Sequence, residues 1–116
     1  MTIEQAYEAM GADIQKVLTR LPNEALIARL AGKFLDDPTY QSLADALAAG
    51  DVETAFRAAH TLKGVCQNLG FENMYQPVFD ITEILRAGSL EGTDALMEQI
   101  TAQYGKTTEA IRAFQG

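Results

Sequence analysis

His60 is the only histidine in the chain, and the residues around it give it a chemical context. Projected as a helix at about 100° per residue, residues 51–71 gather Val52, Ala55, Ala58, Ala59, Leu62, Val65, Cys66 and Leu69 on one apolar face. His60 falls nearly opposite, beside Glu53, Phe56, Arg57, Lys63, Gly64 and Gln67. A neutral imidazole is a nucleophile, and histidine is the side chain whose ordinary titration leaves that form abundant near neutral pH. Lys63, three positions on, brings an ammonium within reach of anything attached to the ring. Gln67 adds a neutral hydrogen-bonding group to the same side. Gly64 occupies an outward, mid-helix position where alanine would be more stable by roughly 1 kcal/mol. Core packing has no use for a glycine there, whereas a closely approaching partner surface does.

Phe56, one turn before His60, projects to the same side. It suits either cover by a neighbouring helix or a place in a docking patch. Cys66 falls on the apolar face and reads as a buried thiol rather than a nucleophile. A lone histidine without a second histidine or a cysteine beside it lacks the ligand set of a metal site.

The whole chain limits what partners such a face can have. Nine Lys+Arg against sixteen Asp+Glu give a net charge of −7, with the basic residues scattered along the sequence. Nucleic-acid affinity comes chiefly from clustered cations on phosphates, so this pattern disfavours it, and it disfavours an anionic membrane surface equally. No apolar run approaches the roughly 18 residues needed to span a bilayer. Met1 to Tyr7 carries Glu4 and no basic cluster, unlike a secretory signal. A single cysteine excludes an internal disulfide and suits a reducing compartment. These features together describe a cytoplasmic chain of 116 residues, long enough for one core and expected to form a single domain.

The elements that must position His60 all read as helix. Alternating apolar and polar residues are absent, and Ala, Leu, Glu and Gln dominate the periodic segments. Thr2 with Gln5 forms a capping-box start, and Ile3, Tyr7, Met10, Ile14, Val17 and Leu18 continue at helical spacing as one segment. Pro22 and Asn23 end it, with Asn23 as the N-cap of a helix from Glu24 to Leu35. Asp37-Pro38 opens a third, to about Ala49. Gly50-Asp51 then places a stop and a new N-cap side by side ahead of the His60 helix, which spans about 51–70. A fifth helix reaches about Ala87, and Pro77 fits it only in its first turn. A sixth runs from Thr93 to about Phe114, with Gly105 as a candidate bend. Short connections favour antiparallel neighbours, so the expected fold is all-α, an antiparallel up-down four-helix bundle with additional N-terminal helical segments.

Ala59-His60-Thr61-Leu62-Lys63-Gly64, followed by Asn68-Leu69-Gly70-Phe71, resembles the signature of histidine-containing phosphotransfer (HPt) domains, H-x-L-K-G with a second glycine six residues on. The resemblance extends to Phe34-Leu35-Asp36, to Leu47-Ala48-Ala49-Gly50-Asp51 and to Leu85-Arg86-Ala87-Gly88, covering roughly residues 14–115. It implies a carrier that accepts a phosphoryl group on His60 from a receiver aspartate or a histidine kinase and passes it to a response-regulator aspartate. Lys63 would offset phosphoryl charge, Gly64 would admit the partner's loops, and Gln67 would hydrogen-bond. Phe56, Arg57 and Phe71 would bind the partner. Mg²⁺ would belong to the receiver domain, with no cofactor held by this chain. The carrier would have no catalytic turnover of its own, and a monomer suits it. Two other readings share the motif: a phosphoacceptor domain of a chemotaxis-type kinase, and a helical adaptor that docks receivers without phosphorylation. Family members often carry a glutamine or carboxylate on the fifth helix facing the histidine, and counting along the motif puts Thr82 there. Val65-Cys66 are larger than the residues usual after the glycine, which by their phase alters packing.

Overall fold

Seven helices make up most of residues 1–116 in the computed structural model: α1 (Ile3–Met10), α2 (Ile14–Leu18), α3 (Glu24–Phe34), α4 (Thr39–Ala48), α5 (Val52–Leu69), α6 (Glu72–Arg86) and α7 (Thr93–Gln115). Helices α4 to α7 form an up-down four-helix bundle. Its antiparallel register shows in pairs at matching heights. Phe56 and Lys63 of α5 meet Arg86 and Phe79 of α6. Asn73 of α6 bonds Gln103 and Thr107 of α7. Tyr104 of α7 stacks on Tyr40 of α4 at 3.8 Å between ring centroids. Helices α1 and α3 pack against α7, and one apolar core joins all seven elements.

Local sequence signals set most of the boundaries. Thr2 and Gln5 bond each other's backbone N–H in a full capping box. The side chains of Asn23 and Asp51 accept from Leu26 N–H and Thr54 N–H at the starts of α3 and α5. The bonds to Thr54 hold the Asp51 carboxyl below the usual carboxylate range. Stability from this cap is therefore present above that range and is lost as pH falls through the lowered value.

Two expectations need correction. The N-terminal segment is two helices, because Gly11 adopts a left-handed conformation and Asp13 caps a new start by accepting from Gln15 N–H. Gly11-Ala12-Asp13 thus acts as a stop and restart, much as Gly50-Asp51 does. Pro77 is the sixth residue of α6, not part of its first turn. Its missing N–H leaves the Asn73 carbonyl without the usual partner. Buried Met74 and Val78, and the bonds from Asn73 to α7, hold the backbone helical on both sides. Helix α7 runs unbroken through Gly105.

Candidate functional site

Helix α5 presents two unlike faces. Ala55, Ala58, Ala59, Leu62, Cys66 and Leu69 are buried, as their phase predicts, while Val52 and Val65 lie half-buried at the margins. Burial pushes the Cys66 thiol up to about 12, which leaves it protonated and unreactive at neutral pH. On the outer side His60 and Gln67 are exposed, and Lys63 and Gly64 are half-exposed. All four lie on the same side of the helix.

Caps make this helix a rigid platform. Asp51 closes its N-terminus, and at the other end Gly70 and Phe71 N–H groups return to the carbonyls of Gln67 and Cys66. Arg20 of the loop after α2 donates to the carbonyls of Gln67 and Asn68 at 2.8 and 3.2 Å, and the Tyr7 hydroxyl donates to Leu69 O at 2.6 Å. The carbonyl end of the His60 helix is thereby satisfied in large part by α1 and by the loop after α2.

The two glycines of the motif differ in their surroundings. Gly70 has φ of +69°, and a Cβ built there would come within 2.2 Å of Val17 Cγ2. A Cβ at Gly64 would meet nothing within 4 Å. Internal packing therefore demands glycine at residue 70 and is indifferent to it at residue 64.

The imidazole of His60 stacks on Phe56, with centroids 5.9 Å apart and an interplanar angle of 26°. The Arg86 guanidinium lies over the Phe56 ring of that pair, 5.0 Å from its centroid. One turn past His60, the Lys63 ammonium lies 5.6 Å from the centroid of Phe79. Both separations fall within the roughly 6 Å at which a ring's quadrupole attracts a cation. His60 thus sits between two cation–ring pairs that each bridge α5 and α6. The three ion pairs of the chain, Lys16–Glu72, Arg57–Glu53 and Arg86–Glu83, leave out both His60 and Lys63.

The partner-binding residues expected from the motif divide. Phe56 is half-buried and Arg57 is exposed, both within one turn of His60. Phe71 is fully buried, wedged between Tyr7 at 5.8 Å and Phe34 at 5.0 Å between centroids. It is a core residue, turned inward by the left-handed Gly70 before it, and has no surface to offer a partner.

Thr82, expected to face the histidine, turns its side chain into the bundle. It is fully buried, and its hydroxyl donates back to Val78 O at 2.6 Å within α6. Because Phe79 stands level with Lys63 and Arg86 with Phe56, the α6 residue level with His60 is Thr82, as counting along the motif gives. The next residue, Glu83, is exposed on the polar edge of α6. Its Oε2 accepts from Arg86 Nε at 3.1 Å.

Phe79, Glu83 and Arg86 form the α6 side of the site, and sequence reasoning singled out none of them. Their i, i+4, i+7 spacing on the polar edge of α6 was the available signal. No group of three or more His, Cys, Asp or Glu side chains converges as a metal-binding cluster. An open groove of about 310 Å³ lies past Gln67, lined by Lys16, Arg20, Gly70, Glu72 and Tyr75 among others, and does not include His60.

No match was found among curated proteins or among solved structures. The family model of the Hpt domain matches residues 37–113, which is most of the chain and holds all four bundle helices with His60. An all-helical bundle with an exposed histidine ahead of Leu62-Lys63-Gly64 agrees with that match, and the chain belongs to the Hpt domain family, the phosphocarrier modules of two-component phosphorelays.

Proposed function

We propose that residues 1–116 act as one phosphocarrier unit in which His60 takes a phosphoryl group from a receiver aspartate or a histidine kinase and delivers it to a response-regulator aspartate. The observation that carries this reading is the placement of His60, exposed at the centre of the α5–α6 edge and outside every ion pair of the chain. A carrier residue must meet another protein's side chain, and a histidine bound up in internal pairs could not.

In the step toward this chain, a ring nitrogen of neutral His60 attacks the phosphorus of an aspartyl phosphate. An N–P bond forms as the P–O bond to the aspartate breaks, and the carboxylate leaves with the electron pair. The reverse step regenerates the imidazole. Lys63, committed to no carboxylate, offsets charge on the equatorial phosphoryl oxygens during in-line transfer. Open space over Gly64 admits the partner's loops beside the helix. Gln67 hydrogen-bonds a phosphoryl oxygen or a partner loop, and Phe56 and Arg57 belong to the docking surface. Glu83, exposed on the α6 edge one residue past the level of His60, is the carboxylate available to accept the N–H of the other ring nitrogen and so orient the imidazole.

Mg²⁺ belongs to the receiver domain, and this chain needs no cofactor and has no turnover of its own. It works as a monomer in the cytoplasm. No helix is long and apolar enough to cross a membrane. The test is incubation with a panel of phosphorylated receiver domains, read by intact mass for the wild type and His60→Gln. A phosphoryl adduct on the wild type alone is expected. An adduct that persists in His60→Gln would overturn the assignment.

A further inference from the structure

Phe79 is the one large aromatic side chain that the fold leaves well exposed, at 36%. Hydrophobic burial therefore explains its place only in part. Its ring carries Lys63 at 5.6 Å on one side and stacks with Tyr75, one turn earlier on α6, at 6.1 Å and 29°. Lys63 has no carboxylate partner to fix its long side chain. A free lysine samples many rotamers, and restricting them before the reaction lowers the entropy lost when the ammonium must meet a phosphoryl group.

We infer that Phe79 is a positioning residue for phosphotransfer: its ring, braced by Tyr75, holds the Lys63 ammonium on the α6 edge beside His60. A ring suits this task better than a carboxylate. It attracts the cation without neutralising it, so the full positive charge stays available to the incoming phosphoryl oxygens. An aspartate or glutamate at residue 79 would compete with the phosphoryl group for the same ammonium and add a like charge near it. This inference rests on the proposed role of His60 and Lys63.

The test uses phosphoramidate, a small donor that needs no docking, so that effects on partner binding drop out. His60 nitrogen displaces ammonia from phosphorus, forming the N–P bond as the P–N bond of the reagent breaks. Phe79→Leu, which keeps an apolar side chain and removes the π face, should slow this reaction about two- to five-fold. Phe79→Tyr should restore the wild-type rate. In a Lys63→Ala background Phe79→Leu should have no further effect, because the ring then has nothing to hold.

Equal slowing by Phe79→Leu with and without Lys63 would overturn the inference, as would an unchanged rate in Phe79→Leu. A wild type that takes no phosphoryl group, or a His60→Gln variant that takes one, would instead overturn the reading of His60 itself. An independent measurement needs no variant activity. The ε-methylene protons of Lys63 should resonate upfield of those of the other lysines in the wild type and lose that shift in Phe79→Leu. Coincident lysine signals in the wild type would contradict the contact.

Discussion

Gly64 and Gly70 stand six residues apart in the same motif, and they are glycine for opposite reasons. Gly70 answers to the fold, since it turns the chain through positive φ and lets Val17 press where a Cβ would sit. Gly64 answers to nothing inside the molecule, since a side chain there would enter open space. The same contrast separates the two groups of aromatic rings. Tyr7, Phe71, Phe34, Tyr104 and Tyr40 form a continuous chain of contacts through the core and against α7. Phe56 and Phe79 lie at the α5–α6 edge with a cation on each. One set holds the bundle together, and the other surrounds the histidine. Residues whose types are explained by internal packing should govern stability, and those left unexplained by it should govern phosphotransfer.

That division can be broken at five positions. His60→Gln should abolish phosphoryl acceptance completely while shifting unfolding free energy by no more than about 0.5 kcal/mol, as read by denaturant titration. A large loss of stability would place the histidine on the wrong side of the division. Phe71→Ala should remove about 3–5 kcal/mol of stability through the cavity it leaves among Tyr7 and Phe34. Gly70→Ala should follow at about 2–4 kcal/mol, from the left-handed backbone and the clash with Val17 together. Lys63→Ala should slow acceptance roughly ten-fold, equivalent to about 1.4 kcal/mol of transition-state stabilisation, with an unchanged melting curve. Gly64→Gln should raise stability by about 0.5 kcal/mol through helix propensity while it weakens transfer from a receiver. If Gly64→Gln left transfer from receivers intact, the open space over that residue would have no role in docking.

Much of the helical pattern was legible because helix signals are local. The capping box at Thr2, the N-caps at Asn23 and Asp51 and the stop at Gly50 are short-range chemistry, and each is found where the sequence puts it. The break at Gly11 carried the same signal as Gly50 but lay within a continuous apolar period, which hid it. Pro77 was misplaced because propensity was overridden by packing on both sides.

The site divides along the same line. Its α5 half, including the exposure of His60 and the open space at Gly64, follows from one helix and its phase. Its α6 half depends on how two helices pack against each other, which the phase of one helix does not contain. Counting along the motif reaches Thr82, level with the histidine, but that threonine is buried, and the exposed groups of the edge are Phe79, Glu83 and Arg86. Phe71 was misassigned for a related reason. It follows Gly70 closely in sequence, but the positive φ of that glycine turns it away from the outer face and into the core.

The most direct test of the central claim is peptide mapping at neutral pH after brief treatment of the wild-type protein with phosphoramidate. The account predicts one phosphoryl group, on the peptide containing His60, lost in mild acid and retained in alkali. Because the chain has no second histidine, an acid-stable phosphoryl group, or one on a peptide lacking His60, would contradict it.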